Sequence, residues 1–233
     1  MALKKEVQVA ERGGIRFLLD GRGRVLRQRA WLSSALAFCY DFVMRFSVFP
    51  KKLGADIDRH GEILRELLQD VHGKRILELG AGSGAAAYFL APDNSYVGTD
   101  VSPGLLRQAR RKFEEQGFQS AEFYAVPAED LPFRDDIFDG CLCILALNFF
   151  DDVARVFEEV RRVLRPGGVF LCAAPVPERN ARGNVIRGTL RSEAEIARMA
   201  SACGLRFETL PAQNGCILYF RACLAPADAE CRS

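Results

Sequence analysis

The sequence predicts an α/β fold: a mostly parallel sheet of seven strands with an antiparallel last strand, under an N-terminal helical cover. Three observations predict it. From about residue 74, short apolar runs alternate with amphipathic segments, as in successive βαβ units. The first run, "KRILEL", leads into the glycine-rich turn "GAGSG" at 80–84. The last two strand-like runs are separated only by the turn-rich "PAQNG", which allows an antiparallel pair. The 233 residues, 49% of them hydrophobic, suffice for one large domain with a few embellishments. Residues 1–54 are read as a basic arm and an apolar helical lid, and residues 55–233 as the α/β domain.

Taken in order, Ile57, Ile63, Leu64, Leu67, Leu68 and Val71 predict a helix leading into the first strand. A helix is expected to begin near Ser83, after the glycine turn. "SYVGTD" is a second strand ending at Asp100. Ser102 and Pro103 read as an N-cap and first helical residue, and Gly117 as the stop. "AEFYAV" is a third strand. "FDGCLCILAL" is a fourth, apolar enough for burial on both faces. Val153, Val156, Phe157, Val160, Val163 and Leu164 recur at helical spacing, and Pro166, Gly167 and Gly168 end that helix before the strand "VFLCAA". Ser192 and Glu195 form a candidate capping box for a helix to Cys203. "LRFETL" and "CILYFRACL" complete the sheet.

Composition narrows the function. The net charge of +2 gives no electrostatic reason to expect nucleic acid. Eight basic residues among the first thirty are read as a solvated, mobile arm, with an anionic surface as the other reading. The start "MALKKEVQVAERGG" lacks the apolar core of a secretory signal, so a cytoplasmic location with reduced thiols is expected. Most of the eight cysteines fall in predicted strands, as small buried hydrophobes. With two histidines and no CxxC pair, no metal site is expected.

"ILELGAGSG" at 76–84 carries the chemistry. A strand turning tightly into a helix over glycines is the nucleotide-cofactor signature of Rossmann-type sheets. Gly80-Ala81-Gly82-Ser83-Gly84-Ala85 also fits the dinucleotide template, which keeps an NAD-dependent oxidoreductase as an alternative. Asp100 suits a ribose diol in either case. Glu78 favours a different cofactor, because a carboxylate beside the glycine loop repels a pyrophosphate but attracts an ammonium. S-adenosylmethionine carries an ammonium and a sulfonium and no phosphate.

"ILELGAGSG", "GTDVS" at 98–102, "PAEDLPFRDDIFDGCL" at 127–142 and "EEVRRVLRPGG" at 158–168, in that order, resemble the class I S-adenosylmethionine-dependent methyltransferases. The resemblance is to their small-molecule branch, which includes the ubiquinone and menaquinone methyltransferases, and covers about residues 55–223. It implies that Gly80, Ala81 and Gly82 pass beneath the methionine and ribose; the ammonium argument sets Glu78 toward the amine. It places Asp100 on the ribose hydroxyls, Val101 on the adenine face, and Ala128 and Glu129 at the adenine edge. Pro127 departs from the pattern, since relatives often carry Asp or Asn there and proline offers neither a side-chain acceptor nor an N–H.

A methyltransferase of this kind aligns a small, apolar or aromatic acceptor for in-line displacement and needs no metal. Where the acceptor must lose a proton, Asp151, Asp152 and Glu178 are the candidate bases, with Asp151 and Asp152 also suited to start the following helix. Asn148, Phe149 and Phe150 follow the fourth strand, where an acceptor would lie. The apolar run 31–49, with Trp31, Phe38, Tyr40, Phe42, Phe46 and Phe49, reads either as a lid bringing Tyr40 to the site or as a helix packed on the core. Peripheral membrane contact through residues 1–49 is a further expectation, and a non-catalytic S-adenosylmethionine-binding protein is the alternative outside enzymology.

Overall fold

The structure is a computed structural model, and it describes residues 2–26 and 40–224. Trp31, Phe38 and Cys39 of the apolar run and Cys231 near the carboxyl end lie outside the described residues. Nine strands form one sheet in the order β1-β2-β5-β4-β3-β6-β7-β9-β8. The strands are β1 (Val9–Arg12), β2 (Ile15–Leu18), β3 (Arg75–Leu79), β4 (Ser95–Asp100), β5 (Ala121–Ala125), β6 (Phe138–Ile144), β7 (Leu164–Pro175), β8 (Leu205–Thr209) and β9 (Ile217–Leu224). Strands β2 to β7 pair in parallel wherever they adjoin, and β9 runs antiparallel to both β7 and β8. Seven strands therefore match the sequence expectation, and two are additional.

The additional pair is a hairpin made by the basic arm, so residues 9–18 are not a mobile tail. Gly13 and Gly14, at φ +60° and +74°, supply the tight turn that joins β1 to β2. β2 then extends the sheet beside β5, with Ile15 fully buried. Arg16 bonds the Tyr124 hydroxyl at 2.8 Å and pairs with Glu122 and Glu11, which uses arm charge inside the fold.

Helices α2 (Ile57–Leu68) and α3 (Pro103–Glu115) cover one face of the sheet, and α4 (Val153–Val163) and α5 (Glu193–Ala202) the other. Their caps follow the sequence signals. Ser102 accepts from the Leu105 N–H with Pro103 at the first turn, Asp152 accepts from the Arg155 N–H, and Ser192 with Glu195 closes a capping box. The helix expected near Ser83 is absent. A 3₁₀ turn, Ala85–Tyr88, takes its place, because Pro92 lies too close for a longer helix and Asn94 ties the return. Asn94 accepts from the Lys74 N–H at 2.8 Å and donates to the carbonyls of Val71 and Ala91.

Ahead of α2, a short helix α1 (Tyr40–Val43) continues as a wide π-helical segment, Met44–Leu53, that accommodates Pro50. It ends at Gly54 in the left-handed conformation. Its end is tied to the β8–β9 turn, where Cys216 N–H donates to the Leu53 carbonyl at 3.0 Å and Asn214 bonds both main-chain polar groups of Asp56.

Candidate functional site

The parallel strand order reverses between β3 and β6, and a crevice opens outside their carboxyl ends, where such sheets bind ligands. Gly80, at φ +66°, turns the chain out of β3 so closely that a Cβ would stand 2.4 Å from that of Ala146. Gly82, at φ +53°, differs: a Cβ there would meet nothing nearer than 3.9 Å and would project beside Tyr40. Gly84 makes room for α3, since its Cβ would lie 2.5 Å from the Ala109 Cα. Ala81 N–H donates to the Thr99 carbonyl at 2.9 Å, and Gly82 N–H to Asp100 Oδ2 at 2.9 Å. The loop is thus fixed to the end of β4. Asp100 Oδ1 also accepts from the Ser102 N–H at 2.8 Å. Burial raises the Asp100 carboxyl above its usual range, and hydrogen bonds from Ser102, Gly82 and Val101 pull it back.

Glu78 is no solvated acid at a strand end. It is 3% exposed, accepts from the Tyr96 hydroxyl, and is pushed up to about 8, by burial first, against the Tyr96 bond and with repulsion from Asp100. Gly98 permits this contact, because a Cβ there would come within 2.9 Å of the Tyr96 hydroxyl.

Three cavities meet at this crevice. One of about 350 Å³ runs past Asp100, Val101, Pro127, Ala128, Glu129 and Phe150. A second of about 450 Å³ lies between the glycine loop and α2, with Glu78, His60, Arg65 and Arg45 in its wall. The third, about 420 Å³, is predominantly apolar and lies between the 44–53 segment and residues 175–187. Tyr40 and Leu145 line all three. Leu145, just past β6, has φ +56°, uncommon for a leucine, and is held by its N–H bond to the Ala173 carbonyl at 2.7 Å. The Tyr40 phenol is pushed up to about 12, chiefly by burial and then by Asp100, Asp41 and Glu78, so it stays protonated.

The structure brings together Tyr40, Glu78, Gly80, Ala81, Gly82, Asp100, Val101, Ala128 and Glu129 along connected cavities. Glu129 also accepts from the Asp151 N–H at 3.1 Å, which fixes the loop after β6. Asp151 lines the cavity past Asp100, with its residue largely exposed. Asp152 caps α4, and Glu178 accepts from the Glu193 N–H at 3.2 Å; neither lines any of the three cavities. Asn148 and Phe149 line the apolar cavity.

Sequence reasoning missed Leu145, Arg65 and the position of His60. His60 is 5% exposed, with Nδ1 2.7 Å from the Tyr219 hydroxyl, and burial lowers it to about 4, so it is neutral. Its signal was its place on the buried face of α2. No sequence signal marks a leucine that takes a positive φ. Cys141, Cys143, Cys172 and Cys216 are buried free thiols, with burial pushing Cys141 and Cys172 well up.

A family profile described as a methyltransferase domain matches residues 77–172. Over 158 residues the chain is 35% identical to a demethylmenaquinone methyltransferase of Thermus thermophilus, covering 66% of this chain and 69% of that protein. It is 39% identical over 105 residues to a fatty-acid O-methyltransferase of Mycolicibacterium smegmatis, covering 44% of this chain and 37% of that one. A crystal structure of an S-adenosylmethionine-dependent methyltransferase from Aquifex aeolicus shares the fold. It gives a TM-score of 0.64 at 16% identity, over 83% of this chain and all of that one.

Proposed function

The chain belongs to the class I S-adenosylmethionine-dependent methyltransferases, and from that premise we propose that it methylates a small lipophilic acceptor held in the apolar cavity. The observation that carries this reading is the meeting of the three cavities at Tyr40 and Leu145. The residues fit the cofactor. A Cβ on Gly82 would take up space beside the Tyr40 ring, 3.9 Å from its hydroxyl, without a clash. Asp100, which takes main-chain N–H bonds from Gly82, Ser102 and Val101, keeps an acceptor site for a ribose hydroxyl, and the buried acid Glu78 faces the region where an ammonium would arrive.

When bound, S-adenosylmethionine would supply a sulfonium-bound methyl group with a neutral thioether as its leaving group. In this reading Asp100 holds the ribose, Val101, Ala128 and Glu129 border the adenine, and Gly80, Ala81 and Gly82 pass beneath. With the cofactor bound, Glu78 would release its proton to solvent and pair as a carboxylate with the ammonium, and Arg65 would meet the cofactor's carboxylate. Tyr40 and Leu145 enclose the transfer point: the leucine excludes water, and the protonated tyrosine donates a hydrogen bond without taking the acceptor's proton. Binding and alignment are the protein's main contribution. The demethylmenaquinone and fatty-acid specificities in the relatives' names support a lipophilic acceptor.

The test is transfer of label from methyl-labelled S-adenosylmethionine to long-chain hydroquinones, phenols and fatty acids. Organic-extractable label that falls at least tenfold in Asp100→Ala is expected. Label that stays aqueous with every apolar acceptor would contradict the proposal. Peripheral lipid contact is supported by Phe42 and Phe46, 67% and 55% exposed with rings 4.6 Å apart, on the segment that walls the acceptor cavity. Among the described residues no helix is long and apolar enough to cross a membrane. Co-sedimentation with phosphatidylglycerol vesicles that drops in Phe42→Ser/Phe46→Ser would bear this contact out; equal sedimentation would end it.

A further inference from the structure

Within the apolar cavity, the hydrogen bonding of one side chain is incomplete. Asn148 is 6% exposed and lines that cavity. Its Nδ2 donates to the Arg187 carbonyl at 2.6 Å, and its own main-chain carbonyl accepts from the Thr189 N–H at 2.7 Å. Gly188 allows the two segments to close on each other, since a Cβ there would overlap the Asn148 carbonyl at 2.1 Å. These contacts fix the orientation of the side-chain amide, because turning it over would set Oδ1 against the Arg187 carbonyl. Among the described residues Oδ1 is buried without a hydrogen-bond partner. A buried acceptor left unpaired costs free energy that the fold recovers only when a donor arrives.

The surroundings describe what brings the donor. Val43, Met44, Val48, Leu53, Pro175 and Ile186 make the wall apolar. A volume of about 420 Å³ takes a ring with a short alkyl chain. We propose that this cavity binds an apolar molecule carrying one hydroxyl or N–H group, and that the group donates to Asn148 Oδ1. The identification of that molecule as the methyl acceptor rests on the methyltransferase reading. A neutral amide is not a base, so Asn148 selects and orients the acceptor, and the selectivity it confers is the same from pH 6 to pH 8.5.

The experiment compares 4-hexylphenol with 4-hexylanisole, which share an apolar body but differ in the donor, by calorimetric titration in the presence of saturating S-adenosylhomocysteine. Wild type is expected to prefer the phenol about tenfold at both pH values. Asn148→Leu, which keeps the size, is expected to bind the phenol only as well as the anisole. Val48→Trp, which fills the cavity, is expected to lose both while still binding S-adenosylhomocysteine; it keeps the test open should Asn148→Leu fail to fold. Equal affinities in wild type, a preference that survives in Asn148→Leu, or binding of neither probe would overturn the proposal. Phenol binding without any S-adenosylhomocysteine binding would instead strike the methyltransferase reading and leave this site standing.

Discussion

Glu78 keeps its proton up to about pH 8 because burial outweighs the hydrogen bond from Tyr96. Its usual value is 4.5, so between the two the unfolded chain has lost a proton that the folded chain retains. The stability this provides is complete below the unfolded value and declines as pH rises through the folded one, by up to about 1.4 kcal/mol per pH unit. Urea unfolding at pH 5, 6.5 and 8 should show this decline in wild type and a flatter profile in Glu78→Gln; identical profiles would remove the assignment. Gly80→Val should destabilise the fold by about 1–3 kcal/mol, because its Cβ meets Ala146 at a positive φ. A thermal melt with no shift would contradict that. The motif residues were legible because a glycine-rich turn after a strand and an acid at the end of the next one are local sequence patterns, here Gly80 to Gly84 and Asp100. Tyr96 and Leu145 were not, since their roles depend on which neighbours the fold supplies.

At the scale of elements, the 40–53 segment depends on a latch as well as on its anchor at Gly54. Asp41 accepts from Ser83 Oγ and pairs with Lys112 of α3, which joins the segment to the glycine loop beneath it. Asp41→Ala should speed S-adenosylhomocysteine dissociation about fivefold in stopped-flow displacement, with little change in melting temperature, since the Asp41 side chain is 54% exposed. An unchanged dissociation rate would mean that the latch does not hold the cofactor. The helices were legible to within a residue or two where caps and apolar spacing agreed, as at Ser102 and Ser192. They failed where tertiary constraints decided: Asn94 ends the turn after Gly84 early, and a π-helical path carries Pro50 without a break.

On the scale of the whole molecule, alternation of apolar runs predicted the parallel sheet, and the short "PAQNG" turn predicted its antiparallel end. The hairpin escaped prediction because its strands have four residues each and carry charge that reads as solvated. Its contribution follows from Ile15, which is fully buried between the sheet and α3; Ile15→Ala should cost about 2–4 kcal/mol in urea unfolding. A change below about 0.5 kcal/mol would show that the hairpin is dispensable. The central claim is that the crevice over Gly80, Gly82 and Asp100 receives S-adenosylmethionine. The most direct measurement is calorimetric titration of wild type and Asp100→Ala with S-adenosylhomocysteine and, separately, NADH. Micromolar binding of S-adenosylhomocysteine that weakens at least tenfold in the variant, with no heat from NADH, is the predicted result. Binding of NADH alone would contradict the account and assign the glycine loop to a pyrophosphate.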